Sequence, residues 1–161
     1  MKKGFTAAVM VSVLLTLAGA PASSQSINLK KYVVPVYSGP RAKPDFTGAG
    51  AQYRGFRTAI TRGFRDNPVA MGHYTIITVG CGTYCTFSWV GDLRTGKIIS
   101  FPIGGEDYPE LDIKTAPNSR VVIARWTNYE HSDCIARPYA FDGQRFAQIS
   151  ADRRKGSGCY R

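Results

Sequence analysis

The sequence predicts an α+β protein, mainly β: an antiparallel meander of about six to seven short strands with one N-terminal amphipathic helix packed on it. Two observations carry this. After Pro68 the chain runs in short β-branched and aromatic segments separated by turn chemistry. Before Pro68, one segment repeats its apolar residues at helical rather than strand spacing.

Residues 1–22 read as a signal peptide. Lys2 and Lys3 form a positive n-region, an apolar run covers residues 6–20, and Ala20 and Ala22 have the spacing of a cleavage site. The run falls short of the roughly 18 apolar residues that would suggest a membrane span. Ala20 stands where a lipoprotein would carry its acylated cysteine, so no lipid anchor is expected. The mature chain is therefore expected to be soluble, and periplasmic or secreted.

Residues 23–50 are rich in Pro, Gly, Ser and Ala and read as an extended arm, with Pro35 suiting an edge strand because it cannot donate to a ladder. The helix is predicted over residues 52–65. Tyr53, Phe56, Ala59, Ile60 and Phe64 share one face, while Arg54, Arg57, Arg62 and Arg65 spread over about 140° of the opposite one. Gly55 and Gly63 weaken this helix by about 1 kcal/mol each relative to Ala, and Pro68 ends it. Strands are predicted at residues 74–79, 86–90, 97–103, 111–114, 120–126, 135–141 and 145–150. "DLRTGK", "TAPNSR" and "FDGQ" supply turns, Gly96 and Gly143 being free to take positive φ. Residues 51–161 thus form a single β-rich domain. A composition of 43% hydrophobic and 20% charged residues fits a globular chain rather than a disordered one.

Cys81, Cys85, Cys134 and Cys159 are an even set in an exported chain, where disulfides form and persist. Three pairings exist, and sequence alone does not choose among them. Cys81–Cys85 with Cys134–Cys159 is favoured because each pair brackets a local turn or hairpin. Three residues separate the thiols of "CGTYC", and no matching second pair follows, so neither zinc ligation nor a redox motif fits.

"NPVAMGHYTIITVGCGTYC", "DLRTGK" and a cysteine shortly before "RPYAFDGQRF" together resemble a group of small exported bacterial proteins with a GHY…GCGT-C signature and no established activity. The likeness spans roughly residues 56–149 and is most specific at His73, Tyr74, Cys81, Gly82, Thr83 and Cys85. It implies export and a shared fold, and supplies no catalytic residue. The chain departs from the pattern at "PVAMGHY", where an aromatic residue and Ala would precede the Gly.

Charge is the unusual property. Lys and Arg number 21 against 11 Asp and Glu, a net charge of +10, which draws the chain toward anionic surfaces. Arg54, Arg57, Arg62 and Arg65 with no acid among them, and the tail "RRKGSGCYR", are the candidate binding residues for an anionic protein, glycan or lipid surface. A solvated helix face and a basic tail would also account for them. No recognised nucleic-acid module is present, and an exported chain seldom meets nucleic acid. No cofactor motif, G-x-S-x-G, HExxH or phosphate loop occurs. His73 at a strand head reads first as a structural hydrogen-bonder, and Trp89 and Trp126 as core. His131 in "NYEHSDC" and the acidic loop with Glu106, Asp107, Glu110 and Asp112 read first as solvated polar segments.

The expectation is a noncatalytic binding module, of inhibitor or immunity type, for an anionic partner. The alternative is a small hydrolase of envelope polymers using His73 or His131 with a carboxylate.

Overall fold

A computed structural model describes residues 27–159; the predicted leader and residues 23–26 and 160–161 lie outside the described residues. The fold is mainly β, with eight antiparallel strands in two sheets and one α-helix among the described residues. β1 (Tyr74–Gly82), β2 (Cys85–Asp92) and β3 (Ile98–Ser100) form one sheet in that order. β4 (Asp112–Ala116), β5 (Ser119–Thr127), β6 (Asp133–Phe141) and β7 (Phe146–Gln148) follow one another in the second, and β8 (Arg153–Gly156) also pairs with β6. The seven predicted strands are all present. The eighth lies in the basic tail, where no apolar alternation announces it.

The turns form as their chemistry requires. Asp92 closes the β2–β3 hairpin by accepting from Arg94 N (2.9 Å) and Thr95 Oγ1 (2.8 Å), and Gly96 takes φ +85°. Asp142 does the same between β6 and β7, accepting from Gln144 N and Arg145 N at 2.7 Å each beside Gly143 at φ +105°.

Alternation sorts the three-stranded sheet into two wet-excluded faces. Ile77 and Trp89 pack on Ile60, Phe64, Tyr53 and Phe46 on the helix side. Tyr74 and Val90 pack on Val122, Ala124, Trp126, Ile135, Tyr139 and Phe141 of the other sheet. The layers therefore run helix, three-stranded sheet, five-stranded sheet, and the outer face of the last is open to solvent. Both tryptophans are core residues, each 6% exposed.

The helical segment departs from its predicted bounds. Residues Gly48–Phe56 are 3-10, and α1 covers only Arg57–Asp66. Gly50 is where this segment packs tightest, since an added Cβ there would strike the Asp45 carbonyl oxygen. Tyr53 still reaches the core and bonds Ser100 Oγ at 3.0 Å, but Phe56 is 43% exposed and only leans on Trp89. Within α1, Ile60 and Phe64 are buried as the periodicity predicts.

Gly63 and Gly91 set the closeness of helix and sheet. A Cβ at Gly63 would lie 2.5 Å from Ile77 Cγ1, and one at Gly91 would strike the Phe64 ring. The segment read as an arm runs along the domain instead of leaving it: Val34 N, Tyr37 N, Ala42 N and Asp45 N donate to the carbonyls of Asn118, Gly72, Leu93 and Gly96 at 3.0, 2.8, 2.8 and 2.8 Å.

Both disulfides pair as the local brackets suggested. Cys81–Cys85 closes the β1–β2 tip with Cα atoms 5.1 Å apart, and Cys134–Cys159 joins β6 to the segment after β8 with Cα atoms 4.6 Å apart. No free cysteine occurs among the described residues.

Candidate functional site

The arm and the outer side of α1 enclose a groove of about 500 Å³. Its floor is apolar, from Pro44, Phe46 and Phe64, and its rim is cationic, from Arg41, Lys43, Arg57 and Arg65. Three of these four cations have distinct local roles. Arg41 Nη1 donates to the carbonyls of Phe64 (2.9 Å), Arg65 (3.3 Å) and Asn67 (2.7 Å), so it caps the negative end of the helix. Arg57 lays its guanidinium over the Phe46 ring at 4.3 Å, a cation–π contact that keeps the charge exposed. Arg65 holds Asp66 with two bonds of 2.7 and 2.8 Å, which lowers the Asp66 pKa and raises that of Arg65.

The four predicted arginines thus divide. Arg57 and Arg62 are exposed on α1, and Arg62 makes no hydrogen bond or ion pair with the described residues, though its charge reaches Asp66. Arg65 is half neutralised by Asp66. Arg54 lies in the 3-10 segment rather than on α1, and its Nε donates to Phe46 O at 3.1 Å, tying it to the fold. Arg41 and Lys43 were missed because "GPRAKPD" has no periodicity to show which way its cations face.

His73 sits in the turn before β1, its ring tilted against that of Tyr74 with centroids 4.1 Å apart. Its Nε2 is 3.8 Å from Asp92 Oδ1. Burial pushes its pKa below the ordinary value, Asp92 pulls it back up, and Arg94 and Arg120 lower it further. The Asp92 carboxylate is occupied by the hairpin turn. Gly72, at φ +93°, lets the arm pass, since a Cβ there would meet Val34 Cγ2 at 3.2 Å. Tyr74 is buried edge-on against Phe141, bridging the two sheets, while Gly82 and Thr83 form the exposed tip beside Cys81. The signature residues therefore describe one hairpin from base to tip.

His131 is the other candidate. Its Nδ1 lies 3.2 Å from Thr127 Oγ1 and 3.7 Å from Glu110 Oε1, with the Tyr84 ring tilted against it at 4.8 Å. The hydroxyl and the carboxylate both face Nδ1, whereas a nucleophilic relay needs them on opposite ring nitrogens. Thr127 is also 1% exposed, and its hydroxyl faces Pro109 O at 3.4 Å, so no substrate carbonyl reaches it. Of the acidic loop, Asp107 accepts from Tyr129 Oη at 3.3 Å, and Asp112 is held by Arg125 (2.7 Å) and Lys114 (3.0 Å). Among the described residues, no three His, Cys, Asp or Glu side chains come together as metal ligands. No helix among them is long and apolar enough to cross a membrane.

No family model matches the chain, and no curated protein or solved structure shows significant similarity to it.

Proposed function

We propose that the chain is a noncatalytic binding module that engages an anionic partner through the groove beside α1. The single observation that carries this reading is the pairing of an apolar floor with a cationic rim on which the acid, Asp66, is already bound. Such a groove can hold the acidic group of an acidic protein, a glycan or a lipid surface on the rim while an apolar part covers Phe46 and Phe64. The leader read from the sequence and the two disulfides support a periplasmic or secreted setting, consistent with an inhibitor or immunity-type role.

The test uses vesicles of anionic phospholipid and a soluble polyuronate at low ionic strength. Lys43, Arg57 and Arg62 are replaced together by Gln; Arg41 and Arg54 are kept, because both bond to backbone carbonyls. The triple variant is expected to lose most binding to whichever probe the wild type takes, with its melting temperature nearly unchanged. Equal binding by variant and wild type would reduce these charges to solubility features. The hydrolase alternative rests on His131 beside Glu110, and a polymer-cleaving activity lost in His131→Gln would favour it.

A further inference from the structure

We infer that the outer face of the five-stranded sheet carries a second, independent anion site whose ligand is a phosphate group bearing more than one negative charge. Strand register builds it. Asp112, Arg125, Ala136 and Arg153 form one row across β4, β5, β6 and β8, and Thr127, Cys134 and Lys155 form part of the next. Paired residues share a face. The inward neighbours on β5, Ala124 and Trp126, are buried, so this row points to solvent. Ala136 has only a methyl group, and the long cations on either side of it leave a groove of about 700 Å³. Its floor is Ala136 and the Cys134–Cys159 bridge; Arg125 stands on one side, and Arg153 and Lys155 on the other.

The electrostatics are one-sided. Asp112 is the acid in the row, and Lys114 and Arg125 already bind it. Asp152 is held by Arg137 in two bonds of 2.8 and 2.7 Å. Asp133 falls on the opposite face of β6 from Cys134. Arg153 and Lys155 are exposed and have no ion-pair partner among the described residues, and Arg154 adds a further cation to the lining. Arg125 offers a second observation. Its Nη2 is spent on Asp112, but its Nε is buried and has no hydrogen-bond partner. That Nε is closed off from the groove, so Arg125 contributes its charge to the site while the exposed Arg153 and Lys155 supply the donors that meet the ligand.

A single carboxylate would leave most of this charge uncompensated. A phosphate monoester carries about −1.5 to −2 at neutral pH and three acceptor oxygens, which match a guanidinium fork and an ammonium together. The phosphate can be free or carried on a lipid headgroup. This site lies across both sheets from the groove beside α1, and its residues are different, so it stands or falls apart from the proposed function.

Inorganic pyrophosphate is the probe, titrated calorimetrically into the intact disulfide-bonded protein. One equivalent should bind, and joint replacement Arg153→Gln with Lys155→Gln should weaken it about tenfold or more. The Lys43, Arg57 and Arg62 variant should bind pyrophosphate as the wild type does. Equal affinity in the outer-face variant, or loss in the helix-side variant instead, would overturn the inference. Should the Gln pair lower the melting temperature, the exchange Arg153→Lys with Lys155→Arg decides: retained binding supports the site, and lost binding refutes it. Vesicles containing phosphatidic acid separate the sources. Vesicle binding lost in the Arg153 and Lys155 variant means a lipid-borne phosphate; pyrophosphate binding lost in that variant with no such loss for vesicles means a free one.

Discussion

Gly63 offers the sharpest opposition between helix propensity and packing. In an isolated helix, Gly63→Ala would stabilise by about 1 kcal/mol. Here the new methyl would lie 2.5 Å from Ile77 Cγ1 and 3.3 Å from Asn67 Nδ2. Ile77 is 2% exposed, and Asn67 Nδ2 donates to Ile76 O at 2.7 Å, so neither neighbour retreats freely. Overpacking of a tight contact costs about 1–3 kcal/mol, which leaves Gly63→Ala less stable by about 0–2 kcal/mol once the propensity gain is subtracted. Gly55 is the internal control: a Cβ there meets nothing within 4 Å. Gly55→Ala should be neutral or stabilising by up to about 1 kcal/mol. Urea unfolding of both variants, with unchanged m, reads the difference; by heat, each kcal/mol corresponds to about 2–4 °C in a domain of this size. A Gly63→Ala protein as stable as Gly55→Ala would refute the close helix–sheet contact.

The two disulfides should contribute unequally, because their sequence separations are 25 and 4 residues: chain entropy assigns about 3.5 kcal/mol to Cys134–Cys159 and about 2 kcal/mol to Cys81–Cys85. Paired Ser variants compared by urea unfolding check the order, and thiol labelling of the unfolded, unreduced protein should find no free cysteine. Burial holds the His73 imidazole below its ordinary 6.5, so the unfolded chain takes up its proton first; the stability His73 contributes is complete above that value and is lost as pH falls below it. His73→Gln should therefore flatten the fall in unfolding midpoint between about pH 7 and pH 5, and an unchanged slope would remove His73 from the account. Arg137 bonds Asp152, lowering that carboxyl's pKa, and lies 5.1 Å from the Trp126 ring. Arg137→Gln should cost about 1–3 kcal/mol at neutral pH, and in the wild type the Asp152 share should fade only as pH drops through 3.8 and below.

Features with a local cause were legible in the sequence. The Asp-and-Gly turns at Asp92 and Asp142, the buried pair Ile60 and Phe64, and the core tryptophans each follow from chemistry within a few residues. What depends on a distant neighbour was not. Gly63 reads as a weak point in a helix until Ile77 is seen against it. Arg41 reads as one cation in a Pro-rich arm until the carbonyls of Phe64, Arg65 and Asn67 are found around it. β8 has no apolar alternation, since all four of its residues are exposed; it is a strand because β6 offers it a ladder and Cys159 pins the chain behind it. The two basic grooves follow from the same limit. Their cations come from segments far apart in sequence, and only the fold shows that Lys43 stands beside Arg57, or Arg125 across from Arg153.

The salt dependence of binding tests the anionic-partner reading most directly. The Debye length shrinks from about 30 Å at 0.01 M salt to about 8 Å at 0.15 M, so contacts made by exposed guanidinium and ammonium groups weaken across that range. Binding of the wild-type protein to anionic vesicles or to polyuronate should be measurable at the lower salt and fall steeply toward the higher. Affinity that does not change with salt, or no binding to either probe at 0.01 M salt, would contradict the account.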